Sequence, residues 1–281
     1  MTDRRGRADL HIHTRASDGI DPIATILDVV EHSTDLDVIA ITDHERIDAA
    51  VAARTMARDL GHRVEVIVGE EVSTLGGHLL ALFIEERVRP VRSLRSTIAA
   101  IHEQGGLAIP AHPLVPYPLC AQGWVLRRLL ADPDPRVHPD GIEAFNPTLF
   151  GRPWHGRVVR FASDLGIPTI GNSDSHEATT IGTGWTSFPG RTADDLRAAI
   201  LAGTTHHHGT FHATGGQAAT FGRQLRKYSG DIRAVVGGKV RRDGSGRDLG
   251  YPGGRHRPPR FAETWQPMTA PNDPETDNRG R

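Results

Sequence analysis

The alternation of apolar runs predicts an α/β fold closed into a barrel, and three observations point to it. Short strand-like runs alternate with helical patterns from the start of the chain. Roughly six to eight such units fall within about 210 residues, which favours a closed barrel over an open sheet. Clusters of ionisable residues follow the strands, and a barrel gathers its chemistry at the carboxyl ends of its strands. An open doubly wound sheet would instead place ligands at one switch point beside a glycine-rich phosphate loop. The chain has no G-x-G-x-x-G or P-loop pattern.

Residues 8–12 read as the first strand. Asp21 reads as the cap of a helix with Pro22 in its first turn and Ile23, Ile26, Leu27 and Val30 on one face. Residues 38–42 are the next strand, and 49–60 the next helix, ended by Gly61. The β-branched run 64–68 is bounded by Gly69, and 79–84 is a fourth apolar run. A helix over 91–104 closes at Gly105-Gly106. Residues 107–110, 141–145 and 169–171 read as further buried strands, separated by helices over 123–130 and 154–165. A last helix covers 193–202, with Gly203 after it. Strands apolar on both faces imply a mainly parallel sheet covered by helices.

The chain has 281 residues, enough for one large domain, and 37% of them are hydrophobic. Residues 241–281 dilute that share: they are rich in Gly, Pro, Arg and Asp and lack periodicity. Such a stretch cannot bury enough apolar surface to offset the entropy of ordering it, so a disordered C-terminal tail is expected. The barrel is expected over 8–215, with 216–240 an extension of unassigned structure. The formal net charge of −1 says nothing about partners. From Gly222 onward, however, 13 Lys and Arg stand against 7 Asp and Glu, which leaves the barrel acidic and suited to cations. The basic tail reads as a solvated segment first and a polyanion contact second. Cys120 is the only cysteine, so no intrachain disulfide can form and a reducing compartment is expected. Functional sequence begins at Asp9, and no apolar run would span a bilayer, so a cytoplasmic protein with no membrane partner is expected.

His11 and His13 alternate in an extended segment, so both rings project to one side as a chelating pair. Asp18 sits in a Ser-Asp-Gly turn, where turn formation alone explains an aspartate well. Asp43 suits helix capping or support of a ligand better than ligation, whereas His44 ends an apolar strand and suits ligation. Glu70 and Glu71 follow a buried strand, where adjacent carboxylates are costly unless a cation or partner meets one. One should enter the pocket, the other turn to solvent or an arginine. His78 precedes an apolar run, and His112 lies at a strand end before Pro113. Asp174 and His176 repeat the i, i+2 spacing. His206, His207, His208 and His212 read as loop histidines, and Trp154 and Trp185 as packing residues.

Mixed imidazole and carboxylate donors suit Mn, Zn or Fe, and no thiolate cluster exists for a structural zinc module. Ligands for two or three ions in one pocket imply a bridged centre that generates hydroxide from water at neutral pH. Hydrolysis of a phosphate ester or an amide follows. Lys227 and Lys239 are the only lysines, and both lie beyond the barrel. A carbamylated strand lysine, which bridges the metals in many amide-cleaving barrels, is therefore not on offer.

In order and spacing, D-L-H-I-H-T-x-x-S-D-G, I-T-D-H, G-E-E-V-S, G-H-L-L, A-H-P and G-N-S-D-S-H resemble the PHP (polymerase and histidinol phosphatase) family of metal-dependent phosphoesterases, over residues 8–203. The resemblance implies a distorted (β/α)7 TIM-like barrel with a trinuclear site. By position, His11, His13 and Asp174 would hold the first divalent ion. Glu71 would bridge to a second held by His78 and His112, and Asp18, His44 and His176 would hold a third. The implied reaction is attack of a metal-bridging hydroxide on the phosphorus of a small phosphorylated substrate or short nucleic acid. Arg15 and Arg46 are candidates for phosphate contact. The branch that resembles nucleotide phosphatases and RNA exonucleases carries a helical insertion before A-H-P; here a single helix fills that interval. The rival readings are a C–N bond hydrolase and a metal-bound regulatory or nucleic-acid-associated module.

Overall fold

A computed structural model describes residues 5–148 and 151–211. The anticipated extension over 216–240, the tail over 241–281 and His212 lie outside the described residues. In chain order the elements are β1 (Gly6–Ile12), α1 (Ile23–Ser33), β2 (Val38–Ile41), α2 (Asp48–Asp59), β3 (Glu65–Thr74), β4 (Gly77–Leu82) and α3 (Leu94–Glu103). There follow β5 (Leu107–Pro110), α4 (Gly123–Leu130), β6 (Ile142–Phe145), α5 (His155–Leu165), β7 (Thr169–Gly171), β8 (Gly184–Phe188), α6 (Ala193–Leu201) and β9 (His206–Gly209).

Seven strands form one sheet in the order β5-β4-β3-β2-β1-β8-β9, while β6 pairs with β7 apart from it. The pairs β1–β2, β2–β3 and β6–β7 are parallel. The pairs β3–β4, β4–β5, β1–β8 and β8–β9 are antiparallel. The result is a mixed α/β fold whose sheet curls into a half-barrel, not the closed and mainly parallel barrel expected from the sequence. Two residues separate β3 from β4. A parallel crossover needs about a dozen, so this link permits only a hairpin return.

Three further expectations need correction. β3 does not stop at Gly69 but runs to Thr74, so Glu70 and Glu71 lie inside a strand. Residues 206–208 are not a loop: they form the edge strand β9 on β8, itself unforeseen because its Gly-Trp-Thr-Ser-Phe text has no aliphatic run. Asp21 does not cap α1; Pro22 holds that position, and the Asp21 carboxylate accepts the Ala178 N–H at 2.7 Å. Elsewhere the ends are chemically marked. Ser93 caps α3, Thr192 and Asp195 form a capping box on α6, and left-handed Gly166 closes α5.

Alternation along the strands builds two cores. Val38, Ala40, Ile67, Leu80, Leu82 and Ile109 pack in the curl of the sheet, while Ile39, Ile41, Val66, Val68, Val72 and Leu79 pack toward the helices. Because β3 keeps this alternation, Glu71 shares a face with Ile67 and stands opposite Leu80 of β4. Glu70 falls on the other face with Val68 and Val72. No helix among the described residues is long and apolar enough to cross a membrane.

Candidate metal centre

One end of the curled sheet collects the ionisable residues. β1 delivers His11 and, just beyond it, His13; the turn after that carries Asp18. His44 follows β2 and is bridged by backbone to Glu71 on β3. His78 opens β4, His112 follows β5, and Asp174 and His176 follow β7. Gly77 makes the hairpin possible: its φ is +122°, and a Cβ there would stand 2.3 Å from the Ala121 nitrogen. Without a side chain at that point, the segment after His112 can close onto the strand that carries His78, whose N–H donates to the Leu119 carbonyl at 2.8 Å.

All nine predicted side chains meet around Glu71 and Asp18. Glu71 Oε2 lies 3.2 Å from His11 Nε2, 3.2 Å from His13 Nε2 and 3.4 Å from His44 Nε2. Its Oε1 lies 2.7 Å from His78 Nδ1 and 3.1 Å from His112 Nε2. Asp174 Oδ1 is 3.4 Å from His11 Nε2, and Asp18 Oδ2 is 3.0 Å from His176 Nε2. His13 faces Asp18 through its other nitrogen, at 3.3 Å. Donor atoms converge to within 4.8 Å in four overlapping sets: His11–His13–Asp174, His13–His44–Glu71, His13–Asp18–His176 and Glu71–His78–His112. His44 thus groups with His13 and Glu71, and lies 3.7 Å from Asp18.

Burial makes this arrangement expensive without counter-charge. His11 and Glu71 are 0% and 1% exposed. Burial opposes a charge on His11, yet Asp174, Glu71 and Glu143 outweigh it and hold its pKa well above the ordinary histidine value. Burial likewise opposes charge on His13, but Asp18, Asp174 and Glu71 push it up to about 10. Glu71 resists burial through His78, His44 and His11 and stays far below the usual carboxylate range. His44 goes the other way: burial lowers it to about 4, against the pull of Glu71 and Asp18. His11 Nε2, His13 Nε2 and His78 Nδ1 are buried and have no hydrogen-bond partner. Buried ring nitrogens crowded 2.7–3.2 Å from one carboxylate without hydrogen-bond geometry to it are what a cation-binding cage presents.

A family model described as PHP-associated matches residues 152–205. An uncharacterized protein of Methanocaldococcus jannaschii is 35% identical over 151 residues, which is 50% of this chain and 81% of the relative. The chain belongs to the PHP family. Among solved structures, a two-domain protein from Bacteroides vulgatus containing a predicted PHP-like metal-dependent phosphoesterase shares the fold, with a TM-score of 0.59 at 18% identity. It is matched over 79% of this chain and 70% of its own. PsfC from Pseudomonas syringae is similar at a TM-score of 0.55 and 19% identity, over 80% of this chain and 99% of its own.

The PHP centre rests on a second layer that sequence reading missed. Glu143, fully buried on β6, is its hub. Its Oε1 meets His11 Nδ1 at 3.0 Å and accepts from Asn172 Nδ2 at 2.8 Å. Its Oε2 accepts the His112 N–H at 2.7 Å and Asn146 Nδ2 at 3.0 Å. A lone Glu inside the apolar run Gly-Ile-Glu-Ala-Phe was the available signal. Asn172 also accepts the Leu10 N–H, and Asn146 reaches Asp174 Oδ2 at 3.1 Å. Asp43 takes the supporting role expected of it rather than capping α2: it accepts from the Thr14 N–H and hydroxyl at 2.8 and 2.7 Å and from Ser17 Oγ, pinning the turn that carries Asp18. Asp9 holds the Ser173 and Gly182 N–H groups at 3.0 and 2.8 Å. Cys120 Sγ sits 3.3 Å from His112 Nδ1. His112 and Asp174 both have positive φ, 30° and 49°, a backbone that only a firmly braced site sustains.

Glu70 points away from the PHP centre. It is 0% exposed, accepts the Val88 N–H at 2.8 Å and lies 3.6 Å from Arg87 Nε. Burial pushes its pKa up to about 8. Arg46 is occupied by Asp48 and by the Ala16 carbonyl, at 2.7 Å in each case. Arg15 is exposed on the turn after His13. The more accessible members of the cluster are His44 and His112, each 18% exposed, and Asp18 and Asp174, each 11%. They mark the open side.

Proposed function

We propose that the protein is a metal-dependent phosphoesterase with a trinuclear site. His11, His13 and Asp174 would hold one divalent ion, and Glu71 would be shared with a second held by His78 and His112. Asp18, His44 and His176 would hold the third, with His13 facing both the first and third positions. Bound cations would supply the charge that acidifies water and stabilises a pentavalent, oxyanionic transition state. The chain's own residues would set direction. Glu143 fixes the His11 ring through Nδ1, leaving Nε2 to face the pocket; Asp43 holds the turn bearing Asp18; Arg15 stands exposed where a phosphate would enter. The observation that carries this reading is the set of buried ring nitrogens around Glu71 that have no hydrogen-bond partner. Purified protein with Mn or Zn should release p-nitrophenol from p-nitrophenyl phosphate, and His11→Ala should abolish that release. Equal activity in the variant, or cleavage of amides but not esters, would refute the assignment.

Cation affinity should depend on pH in a defined direction. In the cation-free protein His11, His13 and His112 all hold their protons above the ordinary histidine value. A cation must displace them, so apparent affinity should rise about tenfold per pH unit for each proton displaced. The rise holds at pH values below the raised folded pKa values and levels off as pH passes the His13 value of about 10. Calorimetric titration with Mn at several pH values, in buffers of different ionisation enthalpy, measures both slope and proton release. A heat independent of buffer would contradict the scheme.

A further inference from the structure

Away from the histidine centre, α4 and α5 enclose an open groove of about 490 Å³. Leu114 and Phe161 line its apolar part. Trp124 and Arg127, one turn apart on α4, share a side of that helix, as do Arg157 and Arg160 on α5. Trp124 is 71% exposed, a high share for a tryptophan. The Arg127 guanidinium lies 4.9 Å from the Phe161 ring centre and that of Arg157 5.3 Å from the Trp154 ring centre. Among the described residues, Arg127, Arg157 and Arg160 form no ion pair. Asp164 is the single carboxylate lining the groove. Three guanidiniums against one carboxylate stand out in a chain whose formal net charge is −1.

The groove adjoins the candidate centre. Leu114 is two residues beyond His112, and a smaller cavity touching His112, Glu143 and Asn146 is also walled by Trp154 and Val158 of the α5 region. α5 therefore borders both spaces. A trough with cationic walls and one uncovered indole suits an extended polyanion that carries unstacked rings. We propose that this groove is an exosite for single-stranded nucleic acid: Arg127, Arg157 and Arg160 hold backbone phosphates, and a base stacks on Trp124. As a substrate assignment it rests on the phosphoesterase reading; as a binding site it does not.

The test is fluorescence anisotropy of the full chain with fluorescein-labelled oligodeoxythymidylate, with and without Mn. The combined variant Arg157→Ala/Arg160→Ala should weaken binding at least tenfold and flatten the salt dependence by a log–log slope of about 1.4. Trp124→Ala should weaken it about tenfold with little change in salt slope. All three positions are solvent-exposed, so both variants should keep the wild-type circular dichroism and p-nitrophenyl phosphate turnover. Arg157→Glu/Arg160→Glu provides a second, stronger reversal of charge. A duplex of equal length should compete less well, because its bases are not free to stack. Unchanged affinity in the arginine and tryptophan variants would overturn the exosite. Equal displacement by polyglutamate would overturn the nucleic-acid assignment and indicate an acidic peptide instead. Loss of binding in the variants without ester turnover in any protein would sink the phosphoesterase reading while leaving the exosite standing.

Discussion

Glu71→Gln should lower ester turnover by at least about a hundredfold and remove measurable binding of the second cation. Five imidazoles face the Glu71 carboxylate within 3.4 Å, on two oxygens. Glutamine keeps the volume but removes the charge, and it turns one of those oxygens into an NH₂ donor aimed at ring nitrogens. The cation-free variant should also lose stability. The folded Glu71 has a depressed pKa, so its contribution is present above the ordinary carboxylate value and vanishes as pH falls through the lower folded one. Comparison of wild type and variant by thermal melts should therefore show the largest gap near neutral pH and convergence in acid. Parallel curves at every pH would contradict the electrostatic account, and full turnover by the variant would exclude Glu71 as a shared ligand.

Glu143→Ala should be the most damaging change outside the predicted ligand set. Truncation strands the His11 Nδ1, the His112 N–H and two carboxamides in a buried site. Loss of a buried charged acceptor of this kind costs about 3–5 kcal/mol. Turnover should drop as well, since the His11 ring loses the contact that fixes its tautomer. Glu143→Gln separates the two roles. It keeps the shape and one acceptor, so it should recover most of the melting temperature while turnover stays depressed by about ten- to a hundredfold. A variant that melts normally and turns over normally would show that the His11 contact has no consequence.

How far the sequence could be read follows from the kind of signal each feature leaves. The predicted cluster was legible because histidines and carboxylates at the ends of apolar runs have no packing rationale, and the fold brings those ends together. Strand direction was not legible. Leu79–Leu82 is buried on both faces, between the inner core and the helix side, and such a run reads alike in parallel and antiparallel pairing. The hairpin instead lay in the shortness of the Leu75-Gly76 link. Glu143, Asn146 and Asn172 leave little local signal because the contacts that tie them to the cluster, Glu143 to His11 and His112, Asn146 to Asp174 and Asn172 to Glu143, cross strands distant in sequence. His206–His208 misled because histidine carries no strong strand preference, and pairing with β8 decides its conformation.

The segment between β5 and α4 is tied to β4 by the His78 amide on Leu119 and to β6 by the His112 amide on Glu143. Its first residues are shared with the arginine-lined trough through Leu114. A displacement of this segment would move residues at both ends. Linkage then demands reciprocity: whatever factor one occupant imposes on the other's dissociation constant is returned in equal measure. On the proposed occupancies, affinities for cation and for polyanion would be defined only when the occupancy of the opposite end is stated.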